Sequence, residues 1–280
     1  MEHQNKFKLV ADSSANFHTR PDMDVSYVPL KIVTTQGEYT DSNELDVPQM
    51  LKDLREYTGK SSTACPSVSD WTDTFQDADM VLGVAITSNL SGCYNSASIA
   101  AAEYMEAHPG SKVFILDSLS TGPEMQLVLE KYQELISAGK TFEEICGEVK
   151  DYLTRTHLLF SLCSLDNLAK NGRVSSVIAK AVGVLGLRIV GRASDEGTLE
   201  PMHKCRGEKK ALKQLLTSME EMGYRGGKVR LSHSYNPEVA DALAAMLKER
   251  YPDCDIAITL NRGLCCYYAE EGGLLVGFES

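Results

Sequence analysis

The stretch Met80-Val81-Leu82-Gly83-Val84-Ala85-Ile86, followed by Thr87-Ser88-Asn89-Leu90-Ser91-Gly92-Cys93-Tyr94-Asn95-Ser96-Ala97, decides the fold class. Its continuous apolar run is typical of a strand buried on both faces of a parallel sheet. The hydroxyl-rich loop then leads into an alanine-rich helical segment, so we predict an α/β fold. Loop hydroxyls and free N–H groups at a helix start favour an anion such as a carboxylate or a phosphate.

Further apolar runs alternate with helical patterns before and after this stretch. They are predicted strands at 7–11, 27–33 and 112–116, and a predicted helix at 47–57. Polar loops follow the first, third and fourth strands, beginning at Asp12, Thr87 and Asp117. Because ligands collect beyond the carboxyl ends of parallel strands, we expect these loops to converge at one edge. Asp12 and Asp117 would serve equally well as helix caps or turn residues.

A second series of elements begins at residue 156. It comprises predicted strands at 156–162, 198–204, 227–233, 255–260 and 273–278, and predicted helices at 175–184, 211–222 and 237–250. We therefore predict two α/β domains, 1–154 and 155–280, each a mostly parallel sheet flanked by helices. The first would carry the hydroxyl loops.

Composition excludes several classes of protein. A net charge of -11 argues against nucleic-acid binding, which needs a basic face. No apolar run approaches the length of a spanning helix, and the N-terminus has no signal-peptide pattern, so we expect a cytoplasmic protein without membrane insertion.

Eight cysteines in mostly apolar contexts are expected to be buried free thiols. Residues 168–213 hold ten Lys or Arg and four Asp or Glu, a basic segment that suits either solvent or an acidic partner.

The motifs of common enzymes are missing. G-x-S-x-G, G-x-G-x-x-G, the P-loop and metal-ligand spacings such as H-E-x-x-H do not occur. His233 is the best candidate for a catalytic histidine, and its context is that of a structural residue. We therefore expect no catalytic residue, no metal and no cofactor, and the polar loops indicate binding.

An apolar segment suggests what is bound. Residues 174–187 mix small and aliphatic side chains, which either pack against a sheet or line a narrow tunnel. A tunnel closed by hydroxyls would suit an amphiphile with one acidic head, because each buried CH₂ contributes roughly 0.8 kcal/mol.

Several short motifs follow one another along nearly the whole chain. They are Leu9-Val10-Ala11-Asp12-Ser13-Ser14, Tyr27-Val28-Pro29-Leu30 with Tyr39-Thr40-Asp41, Thr63-Ala64-Cys65-Pro66-Ser67, Ser88-Asn89-Leu90-Ser91-Gly92-Cys93-Tyr94, Asp117-Ser118 with Gly122, and Leu165-Asp166-Asn167-Leu168-Ala169-Lys170-Asn171-Gly172-Arg173-Val174-Ser175. Taken together and in this order, they resemble the DegV family of bacterial fatty-acid-binding proteins.

The resemblance implies that one long-chain fatty acid is held between two domains. Thr63 and Ser91 match the family's carboxylate-binding positions. The secondary candidates in the same loops are Ser62, Cys93 and Asn95. The resemblance also implies a fatty-acid kinase that makes the acyl-phosphate for phospholipid synthesis, and Arg173 and Arg206 match arginines associated with that transfer or docking.

The C-terminal motif departs from the family pattern. Tyr268 stands where the family has a histidine that reaches the carboxylate, and Glu270-Glu271 follow it. A phenol can donate one hydrogen bond but is not cationic near neutral pH. Two glutamates would repel a carboxylate unless they point to solvent. Two alternatives therefore stay open: a lipid sensor without kinase coupling, and an acyl- or phosphoryl-transfer enzyme that uses Ser91.

Overall fold

A computed structural model describes residues 7–16, 23–176, 179 and 186–280. The strands of the first sheet are β1 (Phe7–Asp12), β2 (Val25–Val28), β6 (Met80–Ala85) and β7 (Lys112–Asp117). Within the described residues they form a four-stranded sheet of order β2-β1-β6-β7, in which every pair is parallel. The parallel sheet predicted for the first domain is confirmed.

A small antiparallel sheet stands beside it. Its strands are β3 (Lys31–Thr34), β4 (Gly37–Thr40) and β5 (Ser62–Ala64), in the order β4-β3-β5. The single strand predicted at 27–33 was wrong, because the chain leaves the first sheet after Val28 and enters the second sheet at Lys31. Pro29 lies between them, where its missing N–H group costs no ladder hydrogen bond.

The described helices of the first half are α1 (Val47–Glu56), α2 (Val68–Phe75), α3 (Cys93–Ala107), α4 (Pro123–Ser137) and α5 (Phe142–Leu153). Helices α2, α3 and α4 pack against the parallel sheet, and α5 packs against α4. Local sequence sets where two of them begin. Ser67 with Asp70, and Thr141 with Glu144, each form a capping box that satisfies free N–H groups in the first turn.

The second sheet has the order β10-β9-β8-β13-β11-β12. Its strands are β8 (Thr156–Leu162), β9 (Leu187–Ala193), β10 (Leu199–Arg206), β11 (Lys228–His233), β12 (Asp255–Leu260) and β13 (Leu274–Glu279). The described helices of this half are α6 (Asp166–Lys170), α7 (Glu208–Glu221), α8 (Pro237–Arg250) and α9 (Gly263–Ala269).

The prediction that this second sheet is mostly parallel was wrong. Of the strand pairs described in it, β11 with β12 is parallel and the others are antiparallel. Strands β9 and β10 are joined by a tight turn at 194–198, which is too short for a parallel crossover. By contrast, β11 reaches β12 through α8, a crossover helix of the kind that a parallel pair needs.

Helix α4 lies between the two large sheets. It packs against β1 and β6 on one side and against β8, β11 and β13 on the other. All its residues from Pro123 to Glu130 are buried. The Glu130 carboxylate and the Arg230 guanidinium of β11 form two hydrogen bonds of 2.6 and 2.8 Å. Because α4 packs against both large sheets, the domain boundary at residue 154 stays a prediction.

Two further features concern the second half. The helix predicted at 175–184 and most of the apolar segment 174–187 lie outside the described residues. Cys265 and Cys266 are in helix α9, and both thiols are buried and free. None of the described helices combines the length and the hydrophobicity of a transmembrane segment.

Candidate functional site

A narrow cavity lies where the loops of the parallel sheet face the second sheet. With its open mouth included, it encloses about 670 Å³. Its apolar lining consists of Leu30, Ile86, Leu90, Leu158, Phe160, Leu162, Leu168, Leu199, Leu264, Cys265, Ala269 and Leu275. Its polar lining consists of Thr63, Ser91, Thr121, Arg173 and Tyr268. The three main carboxylate-binding candidates, Thr63, Ser91 and Tyr268, therefore share one cavity.

Hydroxyl groups from three separate elements meet at this cavity. The hydroxyls of Thr63 on β5 and Tyr268 on α9 share a hydrogen bond of 2.7 Å. Ser91, in the loop before α3, lies 3.3 Å from the Cys93 thiol and accepts a hydrogen bond from the Cys93 N–H group. These groups are neutral donors that can turn towards an oxygen anion in the cavity.

Arg173 lies at the same cavity. Its Nε donates to the Leu90 carbonyl at 3.2 Å, and one terminal nitrogen donates to the Asn171 carbonyl. Burial raises the pKa of Tyr268, although the Thr63 hydrogen bond and the nearby Arg173 charge act in the opposite direction. Among the described lining residues, Arg173 alone carries a charge. We predicted a docking role for Arg173, and the structure places it inside the cavity.

Helix α9 is held in place by the first half of the chain. Asp41, which follows β4, accepts hydrogen bonds from the N–H groups of Gly263 at 2.9 Å and Leu264 at 3.1 Å. Burial raises the pKa of Asp41. The hydroxyls of Tyr267 and Ser61 share a hydrogen bond of 2.8 Å. These contacts fix the position of Tyr268, and our sequence reasoning missed them.

The expected convergence of the polar loops is present. Asp12 accepts from the N–H groups of Ser14 at 2.9 Å and Ile86 at 2.7 Å, and burial raises its pKa to about 6. Asp117 accepts from the N–H groups of Ser88 at 3.2 Å and Leu119 at 3.1 Å. Both aspartates therefore hold loop backbone, as the turn interpretation of these residues predicted.

The structure does not bring the secondary candidates to the cavity. Ser62 is next to Thr63 on β5, where alternate side chains face opposite ways. Cys93 is buried beneath Ser91, and burial raises the pKa of its thiol. Asn95 is exposed on α3, and Arg206 is exposed at the end of β10. Arg206 thus remains available for the docking role predicted for it.

The two glutamates after Tyr268 point away from the cavity. A carboxylate oxygen of Glu270 accepts from the Ser164 hydroxyl at 2.8 Å and the Asn167 N–H group at 3.1 Å. Glu271 forms an exposed ion pair of 2.6 Å with Arg55. The repulsion expected from these residues is therefore absent at the cavity.

The described residues that line the cavity beside Ser91 include no acid or base that could activate its hydroxyl. No histidine, aspartate or glutamate is among the described residues that line the cavity. His233, the best candidate for a base, accepts a hydrogen bond from the Asn236 N–H group at 3.2 Å at the start of α8. In the described ranges, no group of three or more His, Cys, Asp or Glu side chains could hold a metal ion.

A protein-family model described as "Uncharacterised protein, DegV family" matches residues 6–279. The chain belongs to the DegV family. A DegV domain-containing protein of Streptococcus pneumoniae is 39% identical over 277 residues, which are 98% of this chain and 99% of that protein. The family resemblance inferred from the motifs is confirmed.

Solved structures of DegV proteins have the same fold. A DegV family protein from Eubacterium eligens, loaded with heptadecanoic acid, is 45% identical with a TM-score of 0.96, and the match covers 98% of this chain and 100% of that chain. The Fatty Acid Kinase B3 protein of Streptococcus pneumoniae, loaded with linoleic acid, is 39% identical with a TM-score of 0.95, covering 98% and 99% of the two chains. The predicted DegV-like α/β fold is confirmed.

Proposed function

We propose that this protein is a non-enzymatic carrier that binds one long-chain fatty acid and presents its carboxyl group to a fatty-acid kinase. The observation that carries the proposal is an apolar cavity whose polar lining groups are Thr63, Ser91, Tyr268 and Arg173, together with Thr121. Solved relatives with 45% and 39% identity are loaded with long-chain fatty acids, which supports the same ligand class here.

The apolar walls would supply most of the affinity. Leucine side chains from both halves of the chain face the cavity. Each methylene group that moves from water into such an environment contributes roughly 0.8 kcal/mol, so a long acyl chain gains several times more than a short one. A small polar anion would gain nothing from these walls.

The head group would be held by neutral donors and one cation. Burial raises the pKa of Tyr268, so its phenol stays protonated at neutral pH and can donate to a carboxylate. The phenol brings no positive charge, and a carboxylate buried without a counter-charge would be costly. Arg173 supplies that charge beside Ser91 and Tyr268, which compensates for the missing family histidine.

Presentation to a kinase is the finer part of the proposal. Arg206 is exposed at the end of β10, with Lys204 and Lys209 exposed nearby. Such a basic surface suits an acidic partner. The kinase would use ATP to convert the carboxyl group to the acyl-phosphate needed for phospholipid synthesis, and we place the carrier in the cytoplasm, where ATP and reduced thiols are available.

Two measurements test the proposal. Denaturing mass spectrometry of the purified protein should release about one long-chain fatty acid per chain, and an empty protein that also ignores added oleate would contradict the carrier function. Addition of a fatty-acid kinase and ATP to the loaded protein should yield acyl-phosphate, trapped with hydroxylamine as the hydroxamate. Bound lipid without acyl-phosphate would identify a lipid sensor, and covalent labelling of Ser91 by an activated ester would favour an enzyme.

A further inference from the structure

The cavity follows strand β8 from one end to the other. Leu158, Phe160 and Leu162 alternate along the strand, so their side chains share the face that lines the cavity. The carboxyl end of β8 leads through α6 towards Arg173, which lies at the polar groups. Leu158 is therefore the lining residue of β8 that lies furthest from the head-group site.

Leu158 belongs to a row of residues across three strands. The register pairs Leu159 with Arg192, which places Leu158 beside Ala193. Ala193 in turn pairs with Leu199 of β10. Leu158 and Leu199 both line the acyl cavity, and Leu158 is 1% exposed. The row thus lies at the end of β8 that is away from the polar groups.

A second, polar cavity lies behind this row. With its mouth included, it encloses about 960 Å³, compared with about 670 Å³ for the acyl cavity. Its lining includes Ala193, Glu124, Lys150 and His157. Among the described lining residues of the two cavities, Leu158 is the one that they share. Leu158 therefore faces both the hydrocarbon environment and a second space large enough for more carbons.

We infer that Leu158 is the wall that sets the maximum length of the bound acyl chain. The inference rests on the proposed fatty-acid carrier function. A chain that reaches Leu158 has buried all the methylene groups that the cavity accepts, and a longer chain must bend or leave carbons in water. Removal of the Leu158 side chain would open a path between Ala193 and Leu199 into the second cavity.

Leu158→Ala tests this inference, with Leu162→Ala as its matched control. Both are buried leucines of β8 that line the acyl cavity, at 1% and 2% exposure. Each purified protein is loaded from an equimolar mixture of myristic, palmitic, stearic, arachidic and behenic acids, and the bound lipid is quantified by mass spectrometry. Arachidic acid has two more CH₂ groups than stearic acid, and full burial of both would be worth about 16-fold in affinity. Because the second cavity is partly polar, Leu158→Ala should raise the arachidic-to-stearic ratio by somewhat less, about tenfold. Leu162→Ala should weaken binding of all chains without changing that ratio.

The outcomes separate the wall from the carrier function. If wild-type protein takes up none of the acids, the proposed function is wrong. The inference is overturned if wild-type protein takes up the acids and Leu158→Ala keeps the wild-type distribution of chain lengths. It is also overturned if Leu162→Ala shifts that distribution as much as Leu158→Ala does. Leu158→Val and Leu158→Phe guard against misfolding of the alanine variant. Leu158→Val should lengthen the preferred acyl chain, and Leu158→Phe should shorten it. If both variants keep the wild-type distribution of chain lengths, Leu158 does not limit the length of the bound chain.

Discussion

The two large sheets contribute different chemistry to one cavity. The parallel sheet places polar loops at the carboxyl ends of its strands, and these loops carry Ser91 and the aspartates that hold the backbone. The mostly antiparallel sheet contributes a flat apolar face through Leu158, Phe160 and Leu162. Parallel strands bring their polar loops together at one edge of the sheet, which suits a head group. The antiparallel strands contribute a row of side chains that share one face of the sheet, which suits an acyl chain.

The largest effect is expected where the two halves are joined. Arg230→Met would leave the Glu130 carboxylate in α4 without the guanidinium that pairs with it, at side-chain exposures of 7% and 8%. Loss of one partner of a buried ion pair costs about 3–5 kcal/mol, because a charge stays buried without compensation. Chemical denaturation should show this loss in the free energy of unfolding. As a control, Lys31→Ala breaks the exposed ion pair with Glu38 and should leave the free energy of unfolding nearly unchanged. Equal losses in both variants would show that the buried pair of Arg230 and Glu130 has no special role in joining the two halves.

A pH effect is expected from Glu124, which faces the second half from the start of α4. Burial raises its pKa to about 7, and the Thr156 hydroxyl donates to it at 2.8 Å. The folded state therefore holds this proton more tightly than the unfolded state. Stability should fall as the pH rises from about 4.5 to about 7, by on the order of 2–3 kcal/mol, and stay level above that range.

Glu124→Gln should remove this part of the pH dependence. Urea unfolding at about pH 5 and about pH 8 measures it, and the variant should gain stability relative to wild type only at the higher pH. An identical pH slope in wild type and variant would show that Glu124 ionises normally in the folded protein.

The polar end of the cavity is tested by comparing two arginines. Arg173→Gln removes the lining charge and should weaken oleate binding about 10- to 100-fold, because a hydrogen bond to a charged group is worth about 1.5–3 kcal/mol. Arg206→Gln changes an exposed arginine outside the cavity and should keep oleate affinity while slowing acyl-phosphate formation. Oleyl alcohol carries no charge, so Arg173→Gln and wild-type protein should bind it with equal affinity. Unchanged oleate affinity in Arg173→Gln would remove that residue from the head-group site.

An effect of similar size, with a lower minimum, is expected from a single hydroxyl of the first half. Ser91→Ala should weaken fatty-acid binding by about 1–3 kcal/mol, since the carboxylate would lose one donor in a buried site. Ser88→Ala, in the same loop but exposed and outside the cavity lining, should bind normally. Isothermal titration with a long-chain acid measures both variants. Equal affinity of the two would exclude Ser91 from carboxylate binding.

Much of the fold and part of the site were predictable from local pattern. The apolar run at 80–86 predicted a central parallel strand, and Pro237 marked the start of α8. The second sheet was mispredicted because strand direction depends on connections: β9 was not predicted, and the turn at 194–198 makes it antiparallel to β10. Asp41 was missed as a site residue because its partners, Gly263 and Leu264, lie more than two hundred positions away in the sequence.

By itself, the sequence determined the DegV family, the α/β class and the carboxylate candidates Thr63, Ser91 and Tyr268, because motifs and periodicity are local properties of the chain. Only the tertiary structure decided that Arg173 lines the cavity, that Glu270 and Glu271 bond to groups outside it, and that Leu158 lines both cavities. These facts depend on which distant segments pack together, and the direction of a side chain follows from that packing.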